Sequence, residues 1–181
     1  MGRGTGATPC RHRCGKDLWD WPRHGICGWT QSQWLEKWCG GIRKWARGTQ
    51  LYTQLVSRAG ASVKEGVAIR AISWYQGESD TVTKEDADAY KGNMETLITN
   101  LHTDLNEPSL PVIQVALASG EGRFIEIVRR SQLAINLPNV KCIDANGLAL
   151  QTDNLHLTTM SQVHLGLKLA GAFIDSFGHM P

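Results

Sequence analysis

The chain has 181 residues, 41% of them hydrophobic and 20% charged, which is the size and composition of one globular domain. Its formal net charge of +2 is too small to call for a nucleic-acid or membrane-surface partner. No apolar run approaches the roughly 18 residues of a membrane span, and the N-terminus lacks the apolar stretch of a secretory signal, so a cytoplasmic protein with no membrane partner is expected.

Residues 1–47 carry nine Lys and Arg against three Asp and Glu, and residues 48–181 carry ten against fourteen, so the two parts differ in sign. Composition shifts at the same place. Trp19, Trp21, Trp29, Trp34, Trp38 and Trp45 lie before Ala46, as do Cys10, Cys14, Cys27 and Cys39, whereas the first valine is Val56. With only Met1, Leu18, Ile26 and Leu35 as aliphatic residues before Ile42, this stretch has no period of 2 or 3.6 and little to bury. It is expected to stand outside the core, with residues 1–44 as an atypical segment and residues 45–181 as the domain. Three readings compete for it. Cys10, Cys14, Cys27 and Cys39 with His12 and His24 offer zinc-ligand chemistry, yet only Cys10 and Cys14 approach the spacing of a knuckle. A basic, tryptophan-rich arm that stacks on bases is the second, without a recognisable module to support it. The third is an out-of-frame or mis-spliced translation, which a run rich in Trp, Cys, Arg and Gly resembles, and it is the favoured one.

From Trp45 onward helical and extended segments alternate. Leu51, Leu55, Val56 and Ala59 predict a helix over Gln50 to Lys64, ended by Gly66. Val67 to Tyr75, rich in β-branched and aromatic residues, predicts a strand, and Gln76 to Thr83 a loop. Lys84 to Asn106 places Ala87, Tyr90, Met94, Leu97, Ile98, Leu101 and Leu105 on one helical face, with Thr83 and Asp86 as a variant of the capping box. Pro108 and Pro111 precede a strand over Val112 to Leu117, and the Ser119-Gly120-Glu121-Gly122 loop follows. A helix near Arg123 to Asn136, a strand over Asn139 to Ala145 and a helix over Thr158 to Phe177 complete the series. Met160, Val163, Leu167, Ala170, Ile174 and Phe177 mark the apolar face of that last helix. The alternation predicts an α/β fold of three layers, a parallel sheet between helices. Three strands make a thin sheet, so a further strand is expected before residue 45.

In open α/β sheets ligands bind at the carboxyl ends of the strands, and two motifs fall there. Trp74-Tyr75-Gln76-Gly77-Glu78-Ser79-Asp80 leaves the first strand, and Asp153-Asn154-Leu155-His156 precedes the last helix. An Asp three residues before a His can accept the imidazole Nδ1 proton, leaving Nε2 to take a proton from a hydroxyl nucleophile. The plainer reading is a helix N-terminal loop with an Asp or Asn cap and an exposed histidine. Trp74 and Tyr75 read equally well as packing residues, and Ser79 and Asp80 as turn formers. Cys142 lies in a predicted strand and reads as a small buried hydrophobe.

Together, Trp74 to Asp80 and Asp153 to Gly166 closely resemble the carbohydrate esterases of the SGNH hydrolase superfamily related to sialate O-acetylesterases, a resemblance that runs from about Gly41 to Phe177. Trp45 to Tyr52, Leu110 to Gly120 and Asp144 to Leu150 add to it. It implies an SGNH, flavodoxin-like three-layer fold and removal of acetyl groups from a sugar or polysaccharide by a Ser-His-Asp mechanism. It implies no metal or organic cofactor, and an acetylated carbohydrate or other small ester as the partner. His156 becomes the general base and Asp153 its orienter. Gln76 takes the place of an Asn whose amide donates to the oxyanion in other members, Gly77 lets the backbone approach closely, and Glu78 is an acceptor beside the site. The family's nucleophile sits in a Gly-Gln-Ser-Asn-Met block that this sequence lacks. Met1-Gly2-Arg3-Gly4 resembles the stretch after that serine, so the block and the first strand are expected to be missing; the nearest substitute is Ser32 in Thr30-Gln31-Ser32-Gln33-Trp34. Two functions follow. One is a carbohydrate acetylesterase; the other is a truncated or frame-shifted member keeping only the Asp-His half of the triad.

Overall fold

The computed structural model describes residues 41–63 and 68–178. Ser32, the six candidate zinc ligands and any strand before residue 41 lie outside the described residues. Within them helices and strands alternate as α1 (Gln50–Val63), β1 (Ile72–Trp74), α2 (Lys84–Asp104), β2 (Val112–Ala116), α3 (Ile125–Leu133), β3 (Val140–Asp144) and α4 (Thr159–Phe177). Short 3-10 turns occupy Ile42–Trp45 and Ser79–Thr81.

The three strands form one parallel sheet in the order β1-β2-β3. Ile72 pairs with Val112 and Trp74 with Gln114; Val112 pairs with Val140 and Ala116 with Asp144. β2 is central and all five of its residues are buried, which is why it reads as an almost unbroken apolar run. One face of the sheet packs Trp74 and Val112 against Tyr90, Met94, Leu97 and Leu101 of α2 and Val128 of α3. The other packs Val115 and Ala145 against Leu157 and Leu165, so α4 supplies the third layer. Ile42 is 2% exposed and joins the first cluster, so the core takes in a residue just before Trp45.

α2 follows from its sequence most directly. Thr83 caps it by accepting from the Asp86 amide at 3.1 Å. It ends at Leu105 because Asn106 takes a left-handed conformation, φ 55°, and the Glu107 amide turns back to the His102 carbonyl at 3.0 Å.

Two elements depart from expectation. β1 has three residues where nine were predicted. Its ladder starts where the Ile72 amide bonds the Pro111 carbonyl, 2.8 Å, and β2 itself begins only after Pro108 and Pro111, so residues 68–71 pair with no strand among the described residues; Lys64, Gly66 and Val67, named for the end of the first helix and the start of this strand, lie outside the described residues. In α4 most of the predicted stripe is turned outward: Met160 is 65% exposed and Leu167 67%, and of its members only Phe177 is buried, while Leu165 and Ser161 are buried as well. The helix has a second apolar row through Leu165 and Leu169, and spacing alone does not say which row meets the sheet. No helix among the described residues is long and apolar enough to cross a membrane.

Candidate active site

Because the strands are parallel, the loops after β1, β2 and β3 leave from one edge of the sheet. The first two are joined by backbone. The Glu121 amide donates to the Glu78 carbonyl at 3.2 Å, the Phe124 amide to the Thr81 carbonyl at 3.0 Å, and the Gly122 amide to Thr81 Oγ1 at 2.7 Å. A Cβ on Gly122 would lie 2.4 Å from the Thr81 carbonyl oxygen, so only glycine allows the two strands of backbone to come this close. The third loop is joined to the second where the Ser119 hydroxyl donates to the Leu155 carbonyl at 2.5 Å.

On this edge Asp153 and His156 form the pair that their spacing predicted. Asp153 Oδ1 accepts from the amides of Leu155, 2.9 Å, and His156, 3.0 Å, while Oδ2 lies 2.6 Å from His156 Nδ1. Asn154 makes the turn between them with a left-handed φ of 56°. The His156 and Leu155 amides and the imidazole hold the Asp153 carboxyl well below the usual carboxylate range. An ionised carboxylate only accepts, so the proton between the two belongs to Nδ1. That tautomer leaves a lone pair on Nε2. The imidazole is 57% exposed, and among the described residues no hydroxyl is bonded to Nε2.

Gln76, Gly77 and Glu78 stand on the same edge, after β1. The Gln76 amide is held, with Nε2 donating to Asp80 Oδ2 at 2.8 Å; its backbone carbonyl accepts from the Tyr90 hydroxyl, 2.8 Å, and from Gln132 Nε2, 3.1 Å. Gly77 has φ 137°, and a Cβ there would meet Gln132 and Tyr90 at 3.1 Å. Burial pushes the Glu78 carboxyl above the usual range, although the amides of Glu78 and Gly77 bond to it; Glu121 and His156 are near enough to act on its charge. Asp80 is not a mere turn former: it is 1% exposed and accepts the Ile42 amide on both oxygens, at 2.9 and 3.0 Å. Cys142 is half-buried, and burial pushes its thiol up to about 11, so it is protonated at neutral pH.

Sequence reasoning passed over two residues here. Arg129 of α3 is 7% exposed; it bonds the Leu117 carbonyl at the end of β2 and reaches both oxygens of Asp144 at the end of β3, 2.9 and 3.0 Å. Ser119 is 5% exposed and binds the third loop. Neither falls in a motif, and each partner is a backbone carbonyl or lies in another element, which spacing does not reveal.

A family model described as carbohydrate esterase, sialic acid-specific acetylesterase, matches residues 39–175. The Arabidopsis thaliana protein named Probable carbohydrate esterase At4g34215 is 54% identical over 136 residues, which are 75% of this chain and 52% of that protein. The chain therefore spans about half the length of the curated relative it matches. The X-ray structure of that Arabidopsis protein superposes with a TM-score of 0.75, covering 76% of this chain and 58% of the other. The crystal structure of a carbohydrate acetylesterase from Xanthomonas citri, 26% identical, superposes with a TM-score of 0.50 over 63% of this chain and 27% of its own.

Proposed function

The chain belongs to the carbohydrate esterase family of sialic acid-specific acetylesterases, and from that premise we propose that it serves hydrolytic removal of acetyl groups from a sugar or polysaccharide by a Ser-His-Asp mechanism. The observation that carries the proposal is the Asp153–His156 pair at the carboxyl edge of a parallel sheet, with Nδ1 2.6 Å from the Asp153 carboxylate. In this reading His156 Nε2 takes the proton of a serine hydroxyl as it attacks the acetyl carbonyl and gives it to the departing sugar oxygen; it then takes a proton from the water that attacks the acetyl-serine and returns it to the serine oxygen as acetate leaves. Asp153 holds the tautomer and stabilises the imidazolium in between. Gln76 contributes to the oxyanion by its place after β1, Gly77 keeps the approach open, and Glu78 accepts from a substrate hydroxyl. Ser32, in Thr30-Gln31-Ser32-Gln33-Trp34, is the nearest substitute for the family's nucleophile in this sequence. The substrate is an acetylated carbohydrate; the mechanism uses no metal and no organic cofactor.

A second reading, a relative that keeps Asp153 and His156 without a nucleophile, shares this geometry and differs in turnover. The test is release of acetate from a simple acetyl ester and from an acetylated sugar. The esterase reading predicts turnover that His156→Ala and Ser32→Ala each lower by a thousandfold or more, on the order seen when a triad member is removed. Turnover indifferent to Ser32→Ala removes that serine from the mechanism. No turnover of either ester selects the second reading.

A further inference from the structure

Residues 153–156 shape themselves but do not fix their own place. Asp153 bonds its own loop's amides, the Gln151 amide bonds the His156 carbonyl at 2.7 Å, and the Asn154 amide bonds Gln151 at 3.0 Å. Such bonds set local form and leave open where the imidazole stands relative to the Gln76-Gly77-Glu78 segment on another strand. Leu157, buried against Val115 and Leu165, anchors one end of the loop from below. Across loops, buried Ser119 donates its hydroxyl to the carbonyl of Leu155, the residue before His156. Two residues further on, the Glu121 amide bonds the Glu78 carbonyl, and the Ser79 hydroxyl bonds the Glu121 carboxylate at 3.1 Å. A short run of backbone, 119–121, thus touches the Glu78 segment at one end and the His156 loop at the other.

We propose that Ser119 is a positioning residue for His156: its hydrogen bond to the Leu155 carbonyl sets the distance between the imidazole and the Gly77-Glu78 segment. The inference rests on the reading of His156 as general base. One hydrogen bond contributes little net stability, whereas a displacement of about 1 Å at a reacting group costs on the order of a hundredfold in rate. The functional effect of losing the Ser119 hydroxyl is therefore larger than its effect on folding.

The test is proton NMR of the whole chain. The Nδ1 proton shared with Asp153 gives a resonance far downfield, assigned by its disappearance in Asp153→Ala. Releasing the Leu155 carbonyl lets the loop move off the second loop and open to water, so Ser119→Ala is expected to broaden the line to loss by exchange, and Ser119→Thr, which keeps the donor, to retain it. Should the alanine variant fail to fold, Ser119→Val against Ser119→Thr makes the same comparison between side chains of one shape. On an acetyl ester, Ser119→Ala is expected to lower kcat ten- to a hundredfold with KM within twofold. A downfield line unchanged in Ser119→Ala or Ser119→Val overturns the proposal, as does a change confined to KM. The NMR result is independent of turnover, so an inactive chain with a Ser119-dependent line contradicts the esterase reading and leaves the positioning role standing.

Discussion

Two carboxylates at the sheet edge are driven in opposite directions by their surroundings. Asp153 receives two backbone amides and an imidazole N–H and stays ionised far into acid. Glu78 is desolvated, and its carboxyl rises. Its folded value lies above its unfolded one, so between the two the folded chain holds the extra proton and stability falls as pH rises through that window. Glu78→Gln keeps an acceptor for the Gly77 and Glu78 amides and removes the buried charge. The variant is expected to melt higher than the parent at pH 7 and level with it near pH 4, as thermal denaturation at the two pH values would show; equal melting temperatures at pH 7 would contradict the account. The Asp153–His156 contact was legible in the sequence because both partners lie within one turn of chain. The hold of Asp80 on the Ile42 amide was not, since it joins residues 38 positions apart and ends on a backbone atom.

At the scale of elements, the site is made by three loops whose strands are fastened from behind. Arg129 reaches from α3 to the Leu117 carbonyl and to both Asp144 oxygens, tying the ends of β2 and β3. Arg129→Met removes the donors while keeping most of the volume, leaving a buried carbonyl and a half-exposed carboxylate without their partner. A loss of about 2–4 kcal/mol in denaturant unfolding is expected, at the lower side of what breaking a buried pair costs because Asp144 retains water. A loss below about 0.5 kcal/mol would show that the tie is slack. Sequence periodicity found α2 almost to its ends because one face is continuously apolar and both caps are local. It overextended β1, whose length is set by the prolines before β2, and named a row of α4 that faces outward except at Phe177, because the helix has two apolar rows alike in spacing.

For the whole molecule, alternation of helix and strand was enough to give a parallel three-layer α/β fold, and parallel strands place both motifs at one edge. The account's central claim is that Asp153 holds His156 as the base of an acetyl transfer to water. The measurement that tests it most directly is kcat for an acetyl ester in Asp153→Asn, which keeps the size of the side chain but offers an amide where Nδ1 needs a carboxylate. A fall of about 10³–10⁴ in kcat with KM little changed is predicted, as for the equivalent change in serine proteases. An Asp153→Asn chain that turns over within a few-fold of the parent, or a parent chain that releases no acetate, would contradict it.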